Sequence, residues 1–109
     1  MLFSAPMGPE SVYAKNPDFI QRNVAGECIL VPIHRRLPDR NSIYVLNETG
    51  AEVWNRLDGR VPLRAVIDDV HGLYDVAREQ LHRDVVTLMT DLLSIQAIEE
   101  VSVAHGPTG

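Results

Sequence analysis

"IYVLNETGAEVWNRLDG", residues 43–59, welds an apolar strand to an apolar helix with no loop between them. Ile43-Tyr44-Val45-Leu46 has the β-branched and aromatic make-up of a strand. From Leu46 the period lengthens: Leu46, Gly50, Val53, Trp54 and Leu57 fall at helical spacing, with Glu48, Glu52, Asn55 and Arg56 on the other side. Asn47 suits the cap position, because its side-chain oxygen can accept a bond from the free amides of the first turn. Glu48 then places negative charge at the positive end of the helix dipole. Gly50 is a poor helix former; either it lets the helix approach the strand closely or it is tolerated in the first turn. Asp58-Gly59 ends the helix with a residue able to take positive φ. So short a join fixes the angle between its two elements.

Upstream, "FIQRNV" (19–24) and "ECILVPI" (27–33) are strand candidates, and the short Ala25-Gly26 link between them suits a hairpin. Pro32 cannot donate a ladder hydrogen bond, so it belongs at a strand end or facing outward. "HRRLPDRN" reads as a polar loop leading to "SIYVL", which completes a small antiparallel meander. Residues 1–17, with Pro6, Gly8, Pro9 and Pro17, read as a flexible N-terminal arm.

Downstream, Pro62 opens a second helix at a position where its missing amide costs nothing. Leu63, Val66, Ile67, Val70, Leu73 and Tyr74 line one face of it. Asp75 is a candidate cap for a longer third helix, whose stripe is Leu81, Val85, Leu88, Met89, Leu92 and Leu93. "IEEVSV" (98–103) is a short closing strand, and 104–109 a tail. The expected fold is α+β and winged-helix-like, a three-stranded antiparallel sheet followed by three helices (βββααα), with one domain over residues 18–103.

The 109 residues suffice for one modest core, and the 45% apolar and 23% charged fractions are ordinary for a soluble chain. No run approaches a membrane span, and the N-terminus has no basic residues ahead of an apolar stretch, so a cytoplasmic protein is expected. The net charge of −5 argues against nucleic acid as a default partner. That charge is uneven. Arg22, Arg35, Arg36 and Arg40 gather in the N-terminal half, around "HRRLPDR", where they serve either a solvated loop or an acidic partner.

Cys28 is the only cysteine, which excludes an internal disulfide and a cysteine-rich metal site. His34, His71, His82 and His105 are scattered, without metal-ligand spacing. Asp68-Asp69 reads as solvated charge on a helix, and there is no glycine-rich phosphate loop or nucleophile elbow. The expectation is a binding module, not an enzyme, with no cofactor, no metal and no membrane partner.

Both alternating sets of the third strand are apolar: Ile43 and Val45 on one face, Tyr44 and Leu46 on the other. If the three strands lie in sequence order, this one is at an edge, and an apolar unguarded edge needs a cover. Helices of the same chain supply one, burying both faces. An added peptide strand supplies another. Periodicity leaves the two open.

The segment "YVLNETGAEVWNRLDGRVPLRAVIDDVHGLYDVAREQLHRDVVTLMTDLLSIQAIE" resembles the PqqD family, small proteins of pyrroloquinoline quinone biosynthesis and related peptide-modifying pathways. The specific part of the likeness is Leu46-Asn47, Gly50-Ala51, Val53-Trp54 and Leu57-Asp58-Gly59; the whole spans about residues 19–101. The resemblance implies a RiPP recognition element, a non-catalytic peptide chaperone. Such a domain binds the leader of a ribosomally made precursor as a strand added to its third strand, beside its third helix. It then presents the peptide to a modifying enzyme, often a radical S-adenosylmethionine (radical SAM) protein, for pyrroloquinoline quinone or another product. Carried onto this chain, the groove has Ile43, Tyr44, Val45 and Leu46 on one side. Leu81, Val85, Val86 and Met89, taken as outward positions of the third helix, form the other. Arg35, Arg36 and Arg40 flank the strand and are placed to meet acidic leader residues.

Two rival readings stand beside this one. The first is a winged-helix DNA-binding regulator; its recognition helix would carry Arg78, His82 and Arg83, but also Glu79, Asp84 and Asp91. The second is a structural subunit, homodimeric through the exposed edge or the Pro-rich arm.

Overall fold

The computed structural model describes residues 8–33 and 43–101, and over them the fold is α+β. In chain order the elements are β1 (Val12–Lys15), β2 (Phe19–Val24), β3 (Glu27–Pro32), β4 (Tyr44–Leu46), α1 (Glu48–Arg56), β5 (Asp58–Pro62), α2 (Leu63–His71), α3 (Arg78–Ser94) and β6 (Ile98–Val101). The three helices are those expected, but strands and helices interleave, which corrects the βββααα order. The strands form two three-stranded antiparallel sheets, β2-β3-β4 and β5-β1-β6.

The first of these is the expected meander. Ala25 (φ 50°) and Gly26 (φ 83°) are both left-handed, the backbone of a two-residue type I′ turn whose twist matches that of the flanking strands. It sets Val24 opposite Glu27 and fixes the register as far as Phe19 opposite Pro32, at the strand end.

The second sheet corrects the reading of residues 1–17 as an arm over the described residues 8–17, because its central strand is β1; residues 1–7 lie outside the described residues. Val12 and Tyr13 bury their side chains, and the strand pairs on both sides. One partner, β5, follows α1 directly. Asp58 Oδ1 accepts the amides of Arg60 (2.8 Å) and Val61 (3.1 Å), and these bonds hold its carboxyl below the usual range. Gly59, at φ 78°, then turns the chain into the strand, where the β1–β5 register slips between Val12 and Ala14. Lys15 ties β1 to α1: its Nζ donates to the Leu57 carbonyl at 2.9 Å and lies 5.6 Å from the Trp54 ring centroid. Burial lowers the Lys15 pKa, with Asp58 opposing.

The join at Asn47 is built as its sequence suggests. Asn47 Oδ1 accepts the Gly50 amide at 2.7 Å and its carbonyl takes the Ala51 amide at 2.9 Å. A Cβ on Gly50 would stand 3.1 Å from Asn47 Oδ1, 3.3 Å from Leu46 Cδ2 and 3.6 Å from Leu88 Cδ2, so the glycine permits a close approach. The first amides of α2, Leu63 and Arg64, donate to the carbonyls of Ser11 (2.8 Å) and Pro9 (2.9 Å). Two sequence expectations fail nearby: Leu73 lies beyond α2 and is exposed, and α3 begins after Ala77, so Asp75 is not its cap. The core unites Leu30, Val53, Trp54, Val66, Val70, Leu81, Val85, Met89 and Leu92.

Candidate functional site

Backbone direction along β4 follows from the turn at Ala25-Gly26. A two-residue hairpin closes with a mutually bonded pair, here Val24 with Glu27, and such pairs recur at every second residue. Arg22–Ile29 and Ile20–Val31 are therefore the next bonded pairs, and Cys28 and Leu30 turn their amides and carbonyls the other way, toward β4. They meet Leu46 and Tyr44, so both of those β4 residues are bonded inside the sheet. Val45, opposite Ile29, is left with its N–H and C=O pointing away from β3. Among the described residues no strand pairs with that outer side.

Side chains alternate across the same strand. Leu46 is buried in the core. Tyr44 is half-buried, and its hydroxyl donates to Asp91 Oδ2 at 3.0 Å, linking β4 to α3. Burial, followed by that bond to Asp91, raises the Tyr44 pKa. On the other face Ile43 and Val45 are 52% and 54% exposed. They share it with Ile20 and Val24, also exposed, with the half-buried Ile29 and Val31, and with the charged Arg22 and Glu27.

Edges that invite pairing are normally blunted by charge or proline. At the outer strands of the two sheets, β5 has Asp58, Arg60 and Pro62, β6 has Glu99 and Glu100, and β2 has Arg22. Only Tyr-Val-Leu of β4 carries neither.

Beside β4 runs a groove of about 960 Å³, bounded by β4, the start of α1 and the middle of α3. Leu46, Gly50, Val53 and Val85 form its floor, and Cys28, Ala51 and Leu88 are half-buried along its walls. Thr49, Thr87, Glu48 and Asp84 line it, and Glu27 borders it from β3 with its side chain on the sheet's other face. A second, shallower hollow on α3 has Arg78, Glu79, His82 and Arg83 around it.

The structure sorts the expected peptide-binding residues into three groups. Tyr44, Val45 and Leu46 line the groove, with Ile43 next to them in the chain. The outward placement of the α3 residues is corrected: Leu81, Val85 and Met89 are at most 1% exposed and belong to the core. Of these only Val85 reaches the groove, from beneath, while Leu81, Met89 and the half-buried Val86 do not line it. Arg35, Arg36 and Arg40 lie outside the described residues. Sequence reasoning missed Asp84, Thr87 and Leu88 as the α3 wall. The signal was present, since Leu88 stands one place off the Leu81-Val85-Met89 row and so points to its flank.

Fold and groove together define a small α+β module with an unguarded strand edge. Residues 27–98 match the family described as coenzyme PQQ synthesis protein D (PqqD), a span from the start of β3 to the first residue of β6 that contains every groove-lining residue but Gly26. The chain belongs to the PqqD family. No curated protein and no solved structure matches it. Among the described residues no group of His, Cys, Asp and Glu is placed to hold a metal, and no helix is long and apolar enough to cross a membrane.

Proposed function

We propose that this chain binds the leader segment of a precursor peptide as a strand added to the outer edge of β4, and presents it to a modifying enzyme. The observation that carries this reading is the outward N–H and C=O of Val45 on an unguarded edge, with an apolar groove alongside. Membership in the PqqD family supports the rest: a non-catalytic role, a pathway making pyrroloquinoline quinone or a related modified peptide, and a radical SAM enzyme as the recipient.

Magnitudes say what must hold the peptide. Each main-chain bond contributes roughly 0.5–1.5 kcal/mol net. The pair at Val45 therefore supplies about 1–3 kcal/mol, whereas micromolar binding needs about 8 kcal/mol. Ordering a flexible leader costs roughly 2–5 kcal/mol more. The balance must come from side chains buried in the groove, at about 25 cal/mol per Å² of apolar surface. Main-chain pairing then sets register, and the groove sets affinity.

Proline tests the pairing directly, because β4 alternates its amides. The probe is a fluorescein-labelled peptide selected for binding from a displayed library. Val45→Pro removes an outward amide and should weaken that peptide at least about tenfold while the circular dichroism spectrum is retained. Tyr44→Pro removes an amide that serves the β3–β4 ladder, and should destabilise the fold instead. A Val45→Pro chain that binds as tightly as the parent would refute strand addition at this edge.

A further inference from the structure

The groove's charge is one-sided. Glu48 and Asp84 line it, and among the described residues no cationic side chain does. Asp84 accepts one bond, from Gln80 Nε2 at 2.9 Å; among the described residues neither Glu27 nor Glu48 is in an ion pair. Glu27 precedes Cys28, which pairs with Leu46, so Glu27 and Glu48 both mark the Leu46 end of β4. The positive end of the α1 dipole is also there, but Asn47 takes up the Gly50 amide and Glu48 offsets its charge.

The strand edge also has unusual surroundings. A strand on β4 places the residue opposite Val45 on the sheet's outer face, beside Val45 and Ile29. Its two neighbours turn into the groove, toward Leu46, Ala51 and Leu88. Both faces of the added strand thus lie against apolar surface, so alternation with polar residues would waste one of them.

Resting on the strand-addition reading, we infer that the docking segment is a short unbroken apolar run with a lysine or arginine at one end. The cation lies at the Leu46 end of the groove, facing Glu48 and Asp84. Arg35, Arg36 and Arg40 lie outside the described residues and carry no part of this inference.

Selection of random nine-residue peptides by display against the full chain tests this, followed by fluorescence anisotropy of the best binder and its Lys→Glu or Arg→Glu counterpart. Selected peptides should share three or more consecutive apolar residues next to a basic one. The charge-reversed peptide should bind about tenfold more weakly at low salt, and added salt should shrink that gap. In a chain carrying Glu48→Gln and Asp84→Asn, both exposed, the two peptides should differ by no more than about twofold, with the circular dichroism spectrum of the folded chain retained. Binders lacking a basic residue, or indifferent to its reversal, would overturn the inference and leave strand addition standing. No enriched peptide at all would overturn strand addition, and the inference with it.

Discussion

The two sheets are the same size and differ in what they leave bare. In β5-β1-β6 the central strand buries Val12 and Tyr13, and both outer strands carry charge, with proline in β5. In β2-β3-β4 the outer strand β4 is apolar and unguarded, and Ile20, Val24, Ile43 and Val45 lie exposed on one face. Both sheets bury one face, the second through Phe19, Leu30 and Leu46. The second also keeps an apolar outer face in water, which gains nothing for the isolated chain and is a reason to look for a partner.

Stability should divide along that line. Tyr13→Ala empties a buried aromatic site in the first sheet and is expected to cost about 3–5 kcal/mol. At about 4–8 °C per kcal/mol for a domain of this size, thermal melting should fall by more than about 10 °C. Val45→Ala, on the exposed face, should stay within about 0.5 kcal/mol of the parent. Comparable losses at the two sites would erase the distinction between the buried first sheet and the bare outer face of the second.

The join at Asn47 comes next in size. Asn47→Ala removes the side-chain oxygen from the Gly50 amide and should cost about 1 kcal/mol in a denaturant melt. Because that cap sits between β4 and α1, peptide affinity should fall as well. An affinity unchanged alongside the lost stability would show that the join supports the fold without shaping the groove.

Tyr44 gives the smallest effect. Its folded pKa lies above the ordinary 10.0, so the folded chain holds the phenolic proton more tightly than the unfolded one. That contribution is fully present below pH 10.0 and is lost as pH rises through the folded value. Between pH 8 and pH 11 the parent should therefore lose more stability than Tyr44→Phe, by less than about 1 kcal/mol. Tyr13, also raised by burial, remains in both chains and cancels.

These contrasts also show where the sequence was readable. The hairpin, the Asn47 cap and the apolar side of α1 follow from local rules, since turn geometry, capping and helical period act within a few residues. The second sheet does not. β1 lies between Pro9 and Pro17, and β5 is Asp-Gly-Arg-Val-Pro, so composition hides two strands that exist because distant segments pair: Val12 with Pro62 and with Val101. At the groove, β4 was legible as an apolar strand at the edge of a meander. The α3 wall was not, because its apolar stripe identifies the buried side, and the groove takes the flank at Asp84, Thr87 and Leu88. Which β4 amide faces outward depends on register, which no stretch of β4 alone encodes.

Amide hydrogen exchange, followed by NMR with and without the selected peptide, tests strand addition at β4 most directly. The amides of Tyr44 and Leu46, already bonded to β3, should exchange slowly in both states. The Val45 amide should exchange fast in the free chain and slow markedly when the peptide binds. A bound peptide that leaves Val45 exchange unchanged would contradict the account.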